Sequence, residues 1–196
     1  MCVAAVVPPG KRLSEDVLRA MHQSNRDSWG FGFWTPYATP NPPGSTRPEG
    51  FLITVKNTTT SDDMVESYDK ALKIEGRNEK PHLVHFRIRT SGLVNHVNAH
   101  PFNIKGGLLI HNGMLDGHDG GNYSDTYYFS KVFGDHLPKG ITPEQKEFLG
   151  KLVGSYNKIA VLHDDGSTTI VNEDKGSYLD DGVWVSNTGW KHNLKR

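Results

Sequence analysis

The sequence holds little that would staple, anchor or steer it. Its 196 residues include a single cysteine, Cys2, so no disulfide can form within the chain. Secreted chains of this size more often carry cysteines in even sets, and a lone thiol fits a reducing, cytoplasmic setting. Neither sign of charge is in excess, because Lys+Arg and Asp+Glu each total 22. That balance supplies no electrostatic reason to bind nucleic acid or an anionic membrane. No apolar run approaches the ~20 residues that span a bilayer. The apolar start, Met1 to Pro9, is too short and wrongly flanked for a signal peptide, and reads as a buried first strand. Nothing repeats at a fixed period and no stretch has the composition of a linker. The chain therefore reads as one domain over residues 1–196, long enough for a full hydrophobic core.

Metal and phosphate patterns are missing too. There are ten histidines, but no second cysteine and no H-E-x-x-H accompanies them. His82 and His85, three apart in a predicted strand, fall on opposite faces. His96 and His100 are four apart in a predicted loop. No glycine-rich phosphate loop follows a strand. No metal or other cofactor is expected.

What is present alternates strands with helices. Strands are predicted over Val3–Val7, Trp29–Trp34, Phe51–Lys56, His82–Ile88 and Gly107–His111. Lys158–His163 and Thr168–Asn172 flank Asp165-Gly166, a hairpin signal, and Val183–Ser186 makes a last short strand. Ser14 offers an N-cap ahead of an apolar stripe of Val17, Leu18 and Met21. Ser61 offers another ahead of Met64, Val65, Tyr68 and Leu72. Ser124 can cap a helix running through Tyr128 and Val132. Thr142-Pro143-Glu144-Gln145 has the pattern of a capping box with proline at the first helical position. Thr35–Gly50, with five prolines, reads as a loop, as does Thr90 to Pro101. Hairpin signals point to antiparallel sheet, and the fold class is a layered α+β architecture. Trp29, Phe31, Phe33, Tyr127, Tyr128 and Phe129 read as core rather than as a platform for bases.

The position of the cysteine carries chemistry. If Met1 is trimmed, as happens ahead of small side chains, Cys2 becomes residue one and bears both a thiol and a free α-amine. A thiol titrates near ~8.5 and an α-amine near ~8, so the amine can serve as a local general base. The alternative is a small, buried hydrophobe in an edge strand.

The middle of the chain bears on that choice. His85-Phe86-Arg87-Ile88-Arg89-Thr90-Ser91-Gly92 is followed by Asn98-Ala99-His100-Pro101-Phe102, then His111-Asn112-Gly113, then Ser124-Asp125-Thr126. This series resembles the glutaminase domain of class II glutamine amidotransferases. That family has an H-x-R-x-x-T-x-G loop, an N-A-H-P segment, an H-N-G turn and an acid in a later helix, in this order. Asp27 to Gly32 also matches the family's early glycine-containing strand. The resemblance spans roughly Cys2 to Tyr128, and continues weakly through the Asp165-Gly166 hairpin to Trp184–Asn187.

The resemblance implies a four-layer αββα N-terminal-nucleophile hydrolase sandwich of antiparallel sheets, and a thioester on Cys2. It assigns the oxyanion donors to the Asn112 side-chain amide and the Gly113 backbone N–H, preset donors of the kind that stabilise a developing negative charge. Arg87 matches the arginine that clamps the α-carboxylate of glutamine, for which a planar fork is suited. Thr90 matches a support for that carboxylate, and Asp125 the acid that pairs with the α-ammonium. Simpler alternatives stand beside these roles. Asn112-Gly113 is also the sequence of a type I′ hairpin turn, and Arg87 with Asp125 could be a structural ion pair. Three positions depart from some relatives: Ile88 where they have Trp, Ser91 where they have His, and Arg89 where they have a small residue. These flank the carboxylate clamp and bear on the choice between glutamine and a larger γ-glutamyl amide. The residues after Asp125 read as the rest of the same fold, without an acceptor domain. The reading is a stand-alone amidohydrolase or a glutaminase subunit feeding ammonia to a separate synthase partner. The rivals are an N-terminal-nucleophile hydrolase of another amide, and a non-catalytic amino-acid-binding protein that keeps Met1.

Overall fold

The first strand sets the arrangement. β1 (Val3–Val7) is buried at every position, as a strand is when both faces are covered. Its period of two sends Val3, Ala5 and Val7 into one apolar cluster and Ala4 and Val6 into another. The structure is a computed structural model, and it describes residues 1–194 apart from 40, 43, 46–48, 117–120 and 138.

Among the described residues, the strands form two antiparallel sheets. The larger has the order β3-β2-β4-β1-β10-β9, with β2 over Ser28–Pro36, β3 over Gly50–Asn57, β4 over His82–Arg87, β9 over Ser177–Tyr178 and β10 over Trp184–Val185. The smaller has the order β5-β6-β7-β8, with β5 over Phe102–Ile104, β6 over Gly107–Asn112, β7 over Lys158–His163 and β8 over Thr168–Val171. β1 lies between β4 and β10, so the edge-strand alternative for the Cys2 segment does not hold. β5 and β9 are additions to the predicted set, and are too short at three and two residues to show a period. Thr35 and Pro36, predicted as loop, continue β2 against Phe51 and Gly50.

Among the described residues, four α-helices accompany the sheets: α1 (Glu15–Ser24), α2 (Ser61–Leu72), α3 (Asp125–Val132) and α4 (Pro143–Val153). The Ser14 hydroxyl accepts the Val17 N–H and starts α1, and Ser124 does the same for α3 through Tyr127. Thr142 and Gln145 form the capping box of α4. In α2 the cap is Thr60, not Ser61. Asp63 stands three residues after Thr60 and returns the hydrogen bond to its N–H, a reciprocity that Ser61 lacks.

Three apolar clusters show what faces what. The first joins one face of the larger sheet (Trp29, Phe31, Phe33, Val84, Phe86) to Leu18 and Met21 of α1 and Met64 and Tyr68 of α2. The second lies between the sheets, with Ala4, Val6, Leu83 and Trp184 against Leu108, Ile110, Ala160 and Leu162. The third joins the other face of the smaller sheet (Leu109, Ile159, Val161) to Phe129 of α3 and to Leu149 and Val153 of α4. The aromatics of β2 are core, as expected, whereas in α3 Phe129 packs inward and Tyr128 is exposed. Glycine is required in β2 by close approach: a Cβ on Gly30 would lie 1.9 Å from the His100 carbonyl oxygen. Among the described residues, no helix is long and apolar enough to cross a membrane.

Candidate active site

The alternation of β1 carries back to Cys2, which lies on the face of Ala4 and Val6, between the sheets. Its thiol is half-buried and donates to the Ile88 carbonyl at 3.5 Å, while the Asn187 side-chain amide donates to the Cys2 carbonyl at 2.8 Å. Burial pushes the thiol pKa up, against opposing pulls from the Ile88 contact, the Arg87 guanidinium and the N-terminal ammonium.

Register brings Arg87 to the same end. Val3 pairs with Phe86, so the end of β4 lies beside the start of β1. Arg87 shares its face with Leu83 and His85, and is buried. Its terminal nitrogens donate to the backbone carbonyls of Ser91 and of Leu93, the latter at 3.0 Å. These bonds curl the loop after β4 around the guanidinium. Gly92 and Asn98 hold the loop in place. Gly92 has φ +67°, and a Cβ there would come within 2.6 Å of the Ser124 nitrogen. The buried Asn98 amide donates to the Leu93 and Asn122 carbonyls at 3.0 and 2.8 Å, and its oxygen accepts the Ser124 N–H at 2.7 Å. The glycine of the first pattern and the asparagine of the second thus dock the Arg87 loop on the N-terminus of α3.

Asp125, the first residue of α3, sits at that junction, where a helix N-terminus favours negative charge. Its carboxylate accepts from the Leu115 N–H at 2.8 Å, the Thr126 N–H at 2.7 Å and the Ser91 hydroxyl at 3.3 Å. The Ser91 oxygen in turn accepts the Asp125 N–H at 3.2 Å. Arg87 and Asp125 spend their hydrogen bonds on these separate partners and do not form the direct ion pair offered as the simpler alternative. Thr90, the expected support for a substrate carboxylate, is exposed, and its neighbour Ser91 makes a contact with Asp125. In the sequence Ser91 is marked only as a departure from relatives, and nothing local announces its contact with Asp125.

The smaller sheet contributes Asn112 and Gly113. His85 Nε2–H donates to the His111 carbonyl at 2.9 Å, which ties the end of β6 to the end of β4 and so to the Cys2 end of the inter-sheet space. Asn112 is the last residue of β6, pairs with Lys158, and is fully buried. Neither its side-chain nitrogen nor its oxygen has a hydrogen-bond partner in the protein. A buried unpaired amide is costly, by about 1–3 kcal/mol, so such a group calls for an explanation. Gly113 has φ +149°, and a Cβ on it would lie 2.2 Å from Asn157 Oδ1. Asn112 has a negative φ and its ladder partner belongs to β7, far along the chain. The type I′ hairpin alternative therefore does not describe this turn.

Behind the turn, His111 Nδ1 lies 2.8 Å from the Thr126 hydroxyl and Nε2 lies 2.8 Å from Asn157 Oδ1. Asn157 Nδ2 donates to the Val153 carbonyl at 2.6 Å, so its Oδ1 faces His111 as acceptor. Nε2 therefore carries the proton and Nδ1 accepts from Thr126. Burial holds the His111 pKa down, which keeps this neutral form. His85 and His100 stack with ring centroids 3.8 Å apart, and burial lowers the pKa of both, that of His85 to about 3. His82 faces the opposite way, toward Tyr68 at 2.7 Å, as its strand position requires. Among the described residues, no group of three or more His, Cys, Asp or Glu is placed to hold a metal ion. A groove of about 880 Å³ between α4 and residues 172–178 includes none of Cys2, Arg87, Thr90, Asn112, Gly113 and Asp125.

No protein-family model and no curated protein matches the chain. The site stands on its own geometry. Cys2, Arg87 and Asn112 come to one end of the inter-sheet space. Asp125 is tied to them through Ser91 and the Leu115 N–H, and Thr90 stands exposed beside them.

Proposed function

We propose that this chain is an N-terminal-nucleophile amidohydrolase of the class II glutamine amidotransferase type, with Cys2 as nucleophile and glutamine or a γ-glutamyl amide as substrate. The observation that carries the reading is the Asn112 amide, buried and unpartnered at the end of the inter-sheet space that holds the Cys2 thiol. A donor kept free of protein partners suits a charge that exists only during reaction. The layering of α1 and α2, the two sheets, and α3 and α4 supports the four-layer αββα sandwich that this reading requires.

The reaction needs Met1 removed. The Cys2 α-amine then takes the thiol proton, and Sγ forms a bond to the amide carbon. The carbonyl π electrons move to oxygen, where the Asn112 amide and the Gly113 N–H donate to the negative charge. Collapse breaks the C–N bond, and the α-ammonium returns the proton to the leaving nitrogen, so ammonia or an amine departs. Water attacks the thioester, releases the γ-carboxylate and restores the thiol. Arg87 takes the substrate α-carboxylate through the remaining donors of its fork. Asp125 takes the α-ammonium, held in place by Ser91, Leu115 and Thr126. Thr90, at the exposed rim, supports the carboxylate from outside. No metal or cofactor enters this scheme. The setting is cytoplasmic, and the ammonia goes to water or to a synthase partner.

The test is release of glutamate and ammonia from glutamine and from γ-glutamyl amides, by wild type and Cys2→Ala, with intact mass establishing the N-terminus. Release by wild type and its loss to background in Cys2→Ala is the expected result. A trimmed, folded wild type that hydrolyses none of these amides would sink the reading. Retention of Met1 in the mature protein would favour the non-catalytic binding alternative.

A further inference from the structure

Asn157, 44 residues after Gly113 in the sequence, touches the oxyanion turn directly. Resting on the reading above, we propose that Asn157 is a positioning residue for the Gly113 N–H, oriented by His111 and coupled through Thr126 to the substrate-binding acid Asp125.

Three observations converge. The Asn157 carboxamide occupies the space that any side chain on Gly113 would need, with Oδ1 at 2.2 Å and Cγ at 2.9 Å from an ideal Cβ. It therefore sets how far the turn can sink toward β7. Asn157 itself is buried and cannot rotate freely. Its Nδ2 donates to Val153, its Oδ1 accepts from His111, and its carbonyl accepts from the Asn172 side chain at 2.7 Å. Finally, Asn157 and Asp125 are joined by two routes, which meet at the turn through the packing of Asn157 on Gly113 and the short chain from Gly113 to Leu115. One arm runs from Asp125 through Thr126 (its N–H 2.7 Å from the carboxylate) to His111, then Asn157 and Gly113. The other runs from Asp125 to the Leu115 N–H, two residues past Gly113. The acid that reads the ammonium and the amide that meets the oxyanion thus share one rigid frame. With His111 neutral the first arm has one direction: Nδ2–H donates to Val153, Nε2–H donates to Oδ1, and the Thr126 O–H donates to Nδ1 at 2.8 Å in preference to the Asp125 carboxylate at 3.3 Å.

That polarity supplies a signature that a scaffolding role lacks. Asn157→Asp keeps the acceptor for His111 but places a carboxylate beside it. The charged groups facing His111 are Asp125 on α3 and Lys158 on β7, with neutral His85 on β4 and His100 ahead of β5. An added carboxylate raises the His111 pKa. Protonated His111 donates from Nδ1 where it had accepted, which turns the Thr126 hydroxyl toward the Asp125 carboxylate 3.3 Å away and rearranges the frame as pH falls.

The experiment measures kcat, KM and the pH profile for glutamine in wild type, Asn157→Ala and Asn157→Asp, normalised to folded protein by thermal melting. Asn157→Ala should lower kcat by about 10- to 100-fold with KM changed less than about threefold, the split expected when an interaction serves only the transition state. Asn157→Asp should recover most of kcat at high pH and lose it through a new titration that wild type lacks. If folded Asn157→Ala keeps the wild-type kcat, Asn157 is scaffold and the proposal falls while the reading of Cys2 stands. Should Asn157→Ala fail to fold, Asn157→Asp decides alone, and a wild-type pH profile in that variant overturns the proposal. Absence of Cys2-dependent hydrolysis in wild type overturns both.

Discussion

Leucine keeps the branching of asparagine at Cγ but carries neither its donor nor its acceptor, so Asn112→Leu separates what that amide does for folding from what it does for chemistry. In the native protein both polar atoms of Asn112 are buried without a protein partner. Such an arrangement costs about 1–3 kcal/mol relative to an apolar group. The inter-sheet cluster lies beside it on the same face, with Ile110 two residues before. The substitution should therefore raise stability by about 1–2 kcal/mol after some loss to the larger side chain. For a domain of this size that is a rise in Tm of roughly 2–8 °C. Activity should move the other way, because loss of one oxyanion donor lowers kcat by about 10²–10³. Calorimetry and ammonia release on the same preparation read both effects. A protein that melts several degrees lower, with activity reduced only in proportion to its folded fraction, would show that Asn112 holds the structure together and refute the oxyanion argument. A natural residue that costs stability and is required for turnover is the pattern expected of a functional site.

Two further outcomes concern the frame. His82 and His85 have folded pKa values lowered to about 3 by burial, against an unfolded value near ~6.5. The unfolded chain therefore takes up these protons first. Their contribution is intact above the unfolded pKa and is lost as pH falls toward the folded one, by about 2 kcal/mol for the pair between roughly pH 6.5 and 5.5. Urea midpoints over that range measure it together with the same-signed contributions of His22, His100, His111 and His163, whose pKa values burial also lowers, and a flat profile would mean that these rings are solvated. Gly30→Ala should cost about 3 kcal/mol or more, because the new Cβ meets the His100 carbonyl at 1.9 Å and backbone cannot step aside. Gly121→Ala, with open space around it, is the control, and equal Tm values for the two variants would contradict the close approach.

Local patterns carried much of the fold. The five-residue apolar run of β1, the capping residues Ser14, Ser124 and Thr142, and the Asp165-Gly166 hairpin depend on neighbours within a few positions, so the chain announces them. Where two adjacent residues could cap, as with Thr60 and Ser61, the choice turned on Asp63, still a local matter. β5 and β9 had no period to read: β5 exists because the longer β6 offers it a ladder, and β9 because the equally short β10 is itself held on β1.

The candidate site was legible only in part, for the same reason. Its residue types stand in the sequence in order: Cys2, Arg87, Thr90, Asn112, Gly113 and Asp125. What each one touches does not. Arg87 turns to the carbonyls of its own loop, Thr90 faces outward, and Ser91 takes up Asp125. Asn157 reaches Gly113 because β7 returns beside β6. By itself the sequence determined the longer strands, the caps of α1, α3 and α4 and the inventory of reactive groups, all set by spacing along the chain. Tertiary structure alone decided that β1 is internal, that the Asn112 amide is left unpaired, and that Asp125 is linked through Thr126, His111 and Asn157 to the Gly113 turn. Those facts arise from contacts between segments whose separation in sequence carries no record of their meeting.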